Sequence, residues 1–118
     1  MTNLQHELAQ FYGSESFYRH SLFRKYIYTE GVQYLAEKGQ AHWLLDFIFG
    51  QQYEAKALKN VPFQVWEIEV KEDKSALLRV EDGNKNQLTQ FELDFTTFPI
   101  PKYSLWLIEQ TLLLPNEY

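Results

Sequence analysis

Three histidines, sixteen carboxylates and no cysteine set the chemistry open to this chain of 118 residues. His42 and Asp46 stand four apart in a segment of helical character, so their side chains share one face. A carboxylate that orients an imidazole is how a general base is held in one tautomer. Asp46 also has a plainer reading, as a buried polar group satisfied by a backbone amide or a tyrosine from the first half. No nucleophile-elbow pattern accompanies the pair. The plainer reading is preferred, and no catalytic residue is assigned. Should the chain hold a small ligand, the expected lining is Tyr18, His20, Tyr28, Trp43 and Asp46, which join polar groups to aromatic walls.

Metal chemistry is not expected. His6, His20 and His42 are widely separated, and no two share a helical face at i, i+4. The pairs Glu72-Asp73 and Glu81-Asp82 lack the spaced oxygen ligands of a calcium loop. Without cysteine there is no disulfide, thiolate zinc site, iron–sulfur cluster or thiol nucleophile, and no cofactor is expected.

Two surfaces could engage a partner. Residues 17–28 interleave Arg19, Arg24 and Lys25 with several rings, the composition of a base-stacking surface. Three cations are few for that purpose, and rings that close the core beneath solvent-reaching cations explain the same pattern. Nucleic acid is therefore not the expected partner. In the second half, Glu67, Glu69, Arg79, Glu81, Glu92 and Asp94 alternate with Trp66, Ile68, Val70, Leu78, Val80, Phe91, Leu93 and Phe95. The first set is expected to face solvent, where it could dock a basic partner or mimic nucleic-acid phosphates, and the second to face the core.

The elements that position these residues change type midway. Thr2 with Gln5 forms a capping-box pattern ahead of Leu4, Leu8 and Phe11, and Gly13 ends that run. Residues 17–28 have no clean period and are read as an extended or mixed segment ending in a short strand near 26–28. Thr29 is a good N-cap for a second helix, with Glu30 in its first turn and Gly39 as the stop. A third helix, about residues 40–53, is apolar nearly all round and is expected at the buried centre. From Pro62 the period is two, giving strands at 66–70, 75–81 and 87–95, with a hairpin at Asp82-Gly83-Asn84. Phe98-Pro99-Ile100-Pro101 is an extended connector. Strands at 103–108 and 111–114 close the chain.

Helices followed by consecutive antiparallel strands predict one α+β domain spanning 1–118, with helices packed on an antiparallel sheet of four or five strands. The length suits a single core, and 45% hydrophobic residues exclude a disordered tail. The net charge of −5 belongs to the second half: residues 1–60 carry six basic and six acidic side chains, residues 61–118 five and ten. Residues 41–49, the longest apolar stretch, are interrupted by His42 and Asp46 and fall far short of the roughly 18–20 residues of a membrane span. The N-terminus has neither the basic start nor the apolar core of a secretory signal, so a cytoplasmic location is expected. The terminal strands, with Leu105, Trp106, Leu107 and Ile108 and then Leu112, Leu113 and Leu114, have no polar face. A second copy of the chain is the expected cover, giving a homodimer.

Several segments together resemble an uncharacterised family of small single-domain bacterial proteins of about this length. They are Tyr28-Thr29-Glu30-Gly31-Val32, Tyr34-Leu35-Ala36-Glu37, Trp43-Leu44-Leu45-Asp46, Phe63-Gln64-Val65-Trp66, Asp82-Gly83-Asn84, Phe98-Pro99 and the closing Leu112-Leu113-Leu114-Pro115-Asn116-Glu117-Tyr118. They cover nearly the whole chain. The resemblance implies a bacterial single-domain protein and supplies no catalytic residues. The resulting expectation is a non-catalytic binding or interaction domain. The alternatives are a ligand-binding protein or enzyme with a pocket around His20, Trp43 and Asp46, and an acidic-faced inhibitor or nucleic-acid mimic.

Overall fold

Alternation in the second half becomes an antiparallel meander. Strands β3 (Phe63–Val70), β4 (Ala76–Glu81) and β5 (Gln87–Leu93) pair in sequence order. Strand β6 (Lys102–Ile108) returns to the other side of β3, and β7 (Thr111–Leu113) pairs with β6. The turn at residues 82–86 closes as its sequence predicts. Gly83 takes φ 89°, and the Asp82 carboxylate accepts from the amides of Asn84 (2.8 Å) and Asn86 (3.3 Å). The computed structural model describes residues 4–11 and 16–118; Thr2 and Gly13, read above as helix punctuation, lie outside them.

The expected sheet of four or five antiparallel strands is instead, among the described residues, a mixed sheet of seven, ordered β1-β2-β7-β6-β3-β4-β5. The segment without a period supplies two of these strands, of which the one expected near 26–28 is present at 27–29 and the other is unexpected. Phe17–Arg19 (β1) and Ile27–Thr29 (β2) form a short hairpin. Strand β2 then joins β7 in parallel, with Ile27 opposite Thr111 and Tyr28 opposite Leu112. No local pattern announces a pairing between residues more than 80 positions apart.

Helix α1 covers Leu4–Leu8, α2 Glu30–Lys38 and α3 His42–Glu54. Thr29 caps α2 as expected, its hydroxyl accepting from the Val32 amide at 3.3 Å. The helix stops at Gly39, yet the left-handed residue there is Gln40, at φ 51°. Helix α3 buries Leu44, Leu45, Ile48 and Phe49. It is not enclosed all round, because His42 and Asp46 are exposed along one side. No helix of the described residues is long and apolar enough to cross a membrane.

The sheet face toward α3 carries Trp66, Ile68, Leu78, Val80 and Phe91, as the alternation requires. Trp66 and Phe91 stack at 5.8 Å, and Phe47 of α3 meets both edge-on at 6.3 and 5.1 Å. Gln64 joins this face, fully buried and bonded to Gln52 and the Trp66 indole. Phe95 does not: β5 ends at Leu93, and Phe95 is 68% exposed beyond it. The opposite face has its own apolar cluster, apart from the core, of Phe63, Val65, Trp106, Ile108 and Leu113.

Candidate functional site

The β1–β2 hairpin and α3 bring four of the five candidate residues together. The His20 side chain leaves the end of β1 and is buried, with Nε2 2.6 Å from Asp46 Oδ1. Its Nδ1 accepts from two backbone amides, Leu22 at 3.1 Å and Phe23 at 3.0 Å. Two donors on one nitrogen require that nitrogen to be unprotonated, so Nε2 carries the hydrogen and donates to Asp46. Tyr18 stacks on Tyr28 at 5.8 Å, and Tyr28 leans on Phe49. The Tyr28 hydroxyl titrates above its ordinary range, through burial first and then the negative charge of Asp46.

Trp43 is not part of this cluster. It lies in a separate shallow groove with Leu93, Phe95 and Thr96. Nor does the i, i+4 pair form. His42 turns to Glu37, with Nε2 3.0 Å from its carboxylate, while Asp46 is taken by His20, 26 residues earlier in the chain. Helical spacing put His42 and Asp46 on one side of α3, but the fold supplied each with a nearer partner. Asp46 is also not the buried group of the plainer reading, since 63% of its side chain is exposed.

Chemically, this arrangement is a clasp. A general base needs a free nitrogen, and both His20 nitrogens are occupied by neighbours that fix residues 20–26. The interior behind it is filled. Between α3 and the sheet, among Leu44, Ile48, Trp66, Phe98 and Tyr103, there is no room for a water molecule. An open concave region lies elsewhere, where the end of α3 and the segment after it meet the β6–β7 turn. Its residues come from four separate stretches of chain, so no sequence motif marks it. Among the described residues, no three histidine or carboxylate groups stand close enough to hold a metal ion.

The outward side chains of the meander fall as the alternation predicts, with Asp94 just past the end of β5. Their charge is partly spent internally. Arg79 bridges Glu67 (3.4 Å) and Glu69 (3.1 Å), and Lys102 approaches Glu67 at 3.8 Å. Beside this ladder lie Phe63 and Trp106, 5.4 Å apart, with the C-terminal Tyr118 resting on both.

Comparison with known proteins finds no similar curated protein and no similar solved structure. A family model does match, over residues 2–118. The chain therefore belongs, along nearly its whole length, to the family of unknown function DUF6876.

Proposed function

We propose that this protein is a non-catalytic interaction domain that pairs with a second copy through the sheet face turned away from α3. The observation that carries this reading is the second apolar cluster, Phe63, Val65, Trp106, Ile108 and Leu113, which lies outside the main core. Apolar patches on a sheet face mark contact surfaces, and sheets stack about 10 Å apart with strands nearly aligned.

Charge complementarity selects a second copy as the occupant. The central strand of the seven is β6, which carries Trp106. The β1 end of the same face carries Arg19, and the β4–β5 end carries Glu81 and Glu92. A two-fold axis along β6 lays the basic end of each copy over the acidic end of the other, so the face is complementary to itself. The ion pairs at Arg79 and Lys102 reduce the net field there, which disfavours a mimic of nucleic-acid phosphates. The filled interior and the engaged His20 likewise favour interaction over catalysis.

Light scattering on the intact chain is the test. Dimerisation gives twice the 14.1 kDa chain mass at high micromolar concentration. Trp106→Glu gives a folded monomer, Arg19→Glu weakens pairing, and Arg19→Glu with Glu92→Lys restores it. A wild-type monomer at millimolar concentration would refute this reading.

A further inference from the structure

A groove of about 430 Å³ opens between Gln52 and Tyr53 at the end of α3, Lys59 and Asn60 of the following segment, Lys25 and Tyr26 before β2, and the turn at Glu109 and Gln110. That volume lies within the roughly 300–1,000 Å³ typical of small-molecule sites. Tyr26 lines it while only 7% exposed, and its hydroxyl makes no hydrogen bond with any described residue. The ring is buried but the oxygen is not an enclosed atom, so this donor is open to solvent and free for a ligand in the groove. Burial, and then Tyr53, raise the titration of this hydroxyl, which keeps it a proton donor at neutral pH.

The rim adds charge and an aromatic wall. Lys25 and Lys59 both line the groove, against the single carboxylate of Glu109. The Lys25 ammonium lies 5.6 Å from the centre of the Tyr26 ring. The Lys59 ammonium is anchored on the Tyr53 carbonyl at 3.1 Å, which leaves it further donors. The Tyr53 ring, 49% exposed, stands edge-on to Tyr26 and stacks on Phe23 at 5.5 Å. An electropositive cleft with a waiting hydroxyl donor and a flat apolar wall fits an oxyanion on a small planar body.

We propose that this groove binds a small oxyanion, a carboxylate or a phosphate ester, with its charge held by Lys25 and Lys59 and one oxygen accepting from the Tyr26 hydroxyl. The site borders the His20 clasp, which fixes the segment that carries Lys25 and Tyr26, while its lining residues differ from those of the sheet face proposed for pairing.

The test is an amide-resolved NMR titration of the full-length chain with benzoate, inorganic phosphate and chloride. Saturable shifts are expected at Gln52, Asn60, Val61, Glu109 and Gln110. Benzoate binding tighter than phosphate assigns a carboxylate ligand with an aromatic body, and the reverse assigns a phosphate ester. Tyr26→Phe removes only an unbonded hydroxyl, so its spectrum should remain that of the folded protein while affinity falls about fivefold or more. Lys25→Gln should weaken binding and flatten its salt dependence, and Lys71→Gln, past the opposite end of β3, should leave it unchanged. The proposal is overturned if neither oxyanion shifts the groove amides at 50 mM, if chloride shifts them equally, or if Tyr26→Phe and Lys25→Gln bind as wild type.

Discussion

The closing Glu117 shows how much one side chain can organise. It is 8% exposed, and it accepts from the Thr29 hydroxyl at 2.6 Å, the Gly31 amide at 3.2 Å and the Leu114 amide at 2.9 Å. It thus ties the end of the chain to the first turn of α2, where the dipole favours an anion. Glu117→Ala leaves those donors unpaired and is expected to lower unfolding free energy by about 2–4 kcal/mol in urea denaturation. Gly31 has to be glycine for the same contact. A Cβ there would stand 2.6 Å from the Glu117 carboxylate, so Gly31→Ala should destabilise by about 1–3 kcal/mol. Titration adds two limits. Asp73 is held below its ordinary value by Ser75, and Asp82 by Asn86 and Asn84. A lowered folded value gives stability that is complete above about pH 4 and lost as pH falls through it, so Asp82→Asn should flatten the acid limb. Tyr103 is pushed up to about 12, by burial first and then by Glu117. A raised value gives stability that is complete below pH 10 and lost as pH rises from there toward 12. Tyr103→Phe should match wild type at pH 7 and remain folded further into alkali.

At the scale of elements, the His20 clasp decides whether residues 20–26 hold their path. The ring packs at 5.3 Å from both Phe23 and Phe49 while its nitrogens bond two amides and Asp46. His20→Ala removes all of these and should cost about 2–4 kcal/mol. Asp46→Asn keeps an acceptor for Nε2–H at an exposed position and should cost no more than about 1 kcal/mol. Equal losses in chemical denaturation would contradict the clasp. The same contrast explains what could be read in advance. The β3–β5 meander is legible because Trp66 to Val70 and Leu78 to Glu81 alternate and Asp82-Gly83-Asn84 marks the turn, whereas Phe63-Gln64-Val65 inverts the pattern, with the amide buried and the apolar groups outward. Thr29 and Gly39 bound α2 as their local pattern predicts, while the distant Glu117 adds an acceptor at its first turn. Tyr18, His20, Tyr28 and Asp46 could be named as polar and aromatic groups worth watching, but Asp46 chose a partner 26 residues away over the one four residues away. The β1 strand left no trace because all three of its residues are exposed, so burial imposes no period on it.

The whole molecule is two sheet segments joined at one seam. Strands β3 to β7 form a continuous antiparallel block, while the β1–β2 hairpin joins the sheet through the short parallel pairing of β2 with β7. Parallel pairs are slightly weaker per residue, and this one is two register positions long. Side chains reinforce the seam: Tyr28 against Phe49, His20 against Asp46, and Glu117 against Thr29. Tyr28, Leu112 and Leu114 share one buried cluster with Trp66, Ile68, Leu78 and Leu105, whereas all three residues of β1 are exposed. Local opening follows the less buried segment. Native-state hydrogen exchange is therefore expected to release the amides of β1 and β2 at a free energy below global unfolding, while Ile68, Leu78 and Leu105 exchange only with the global transition. His20→Ala should lower the first without moving the second by the same amount. Protection that is uniform from β1 to β6 would show a single cooperative sheet in place of two joined segments.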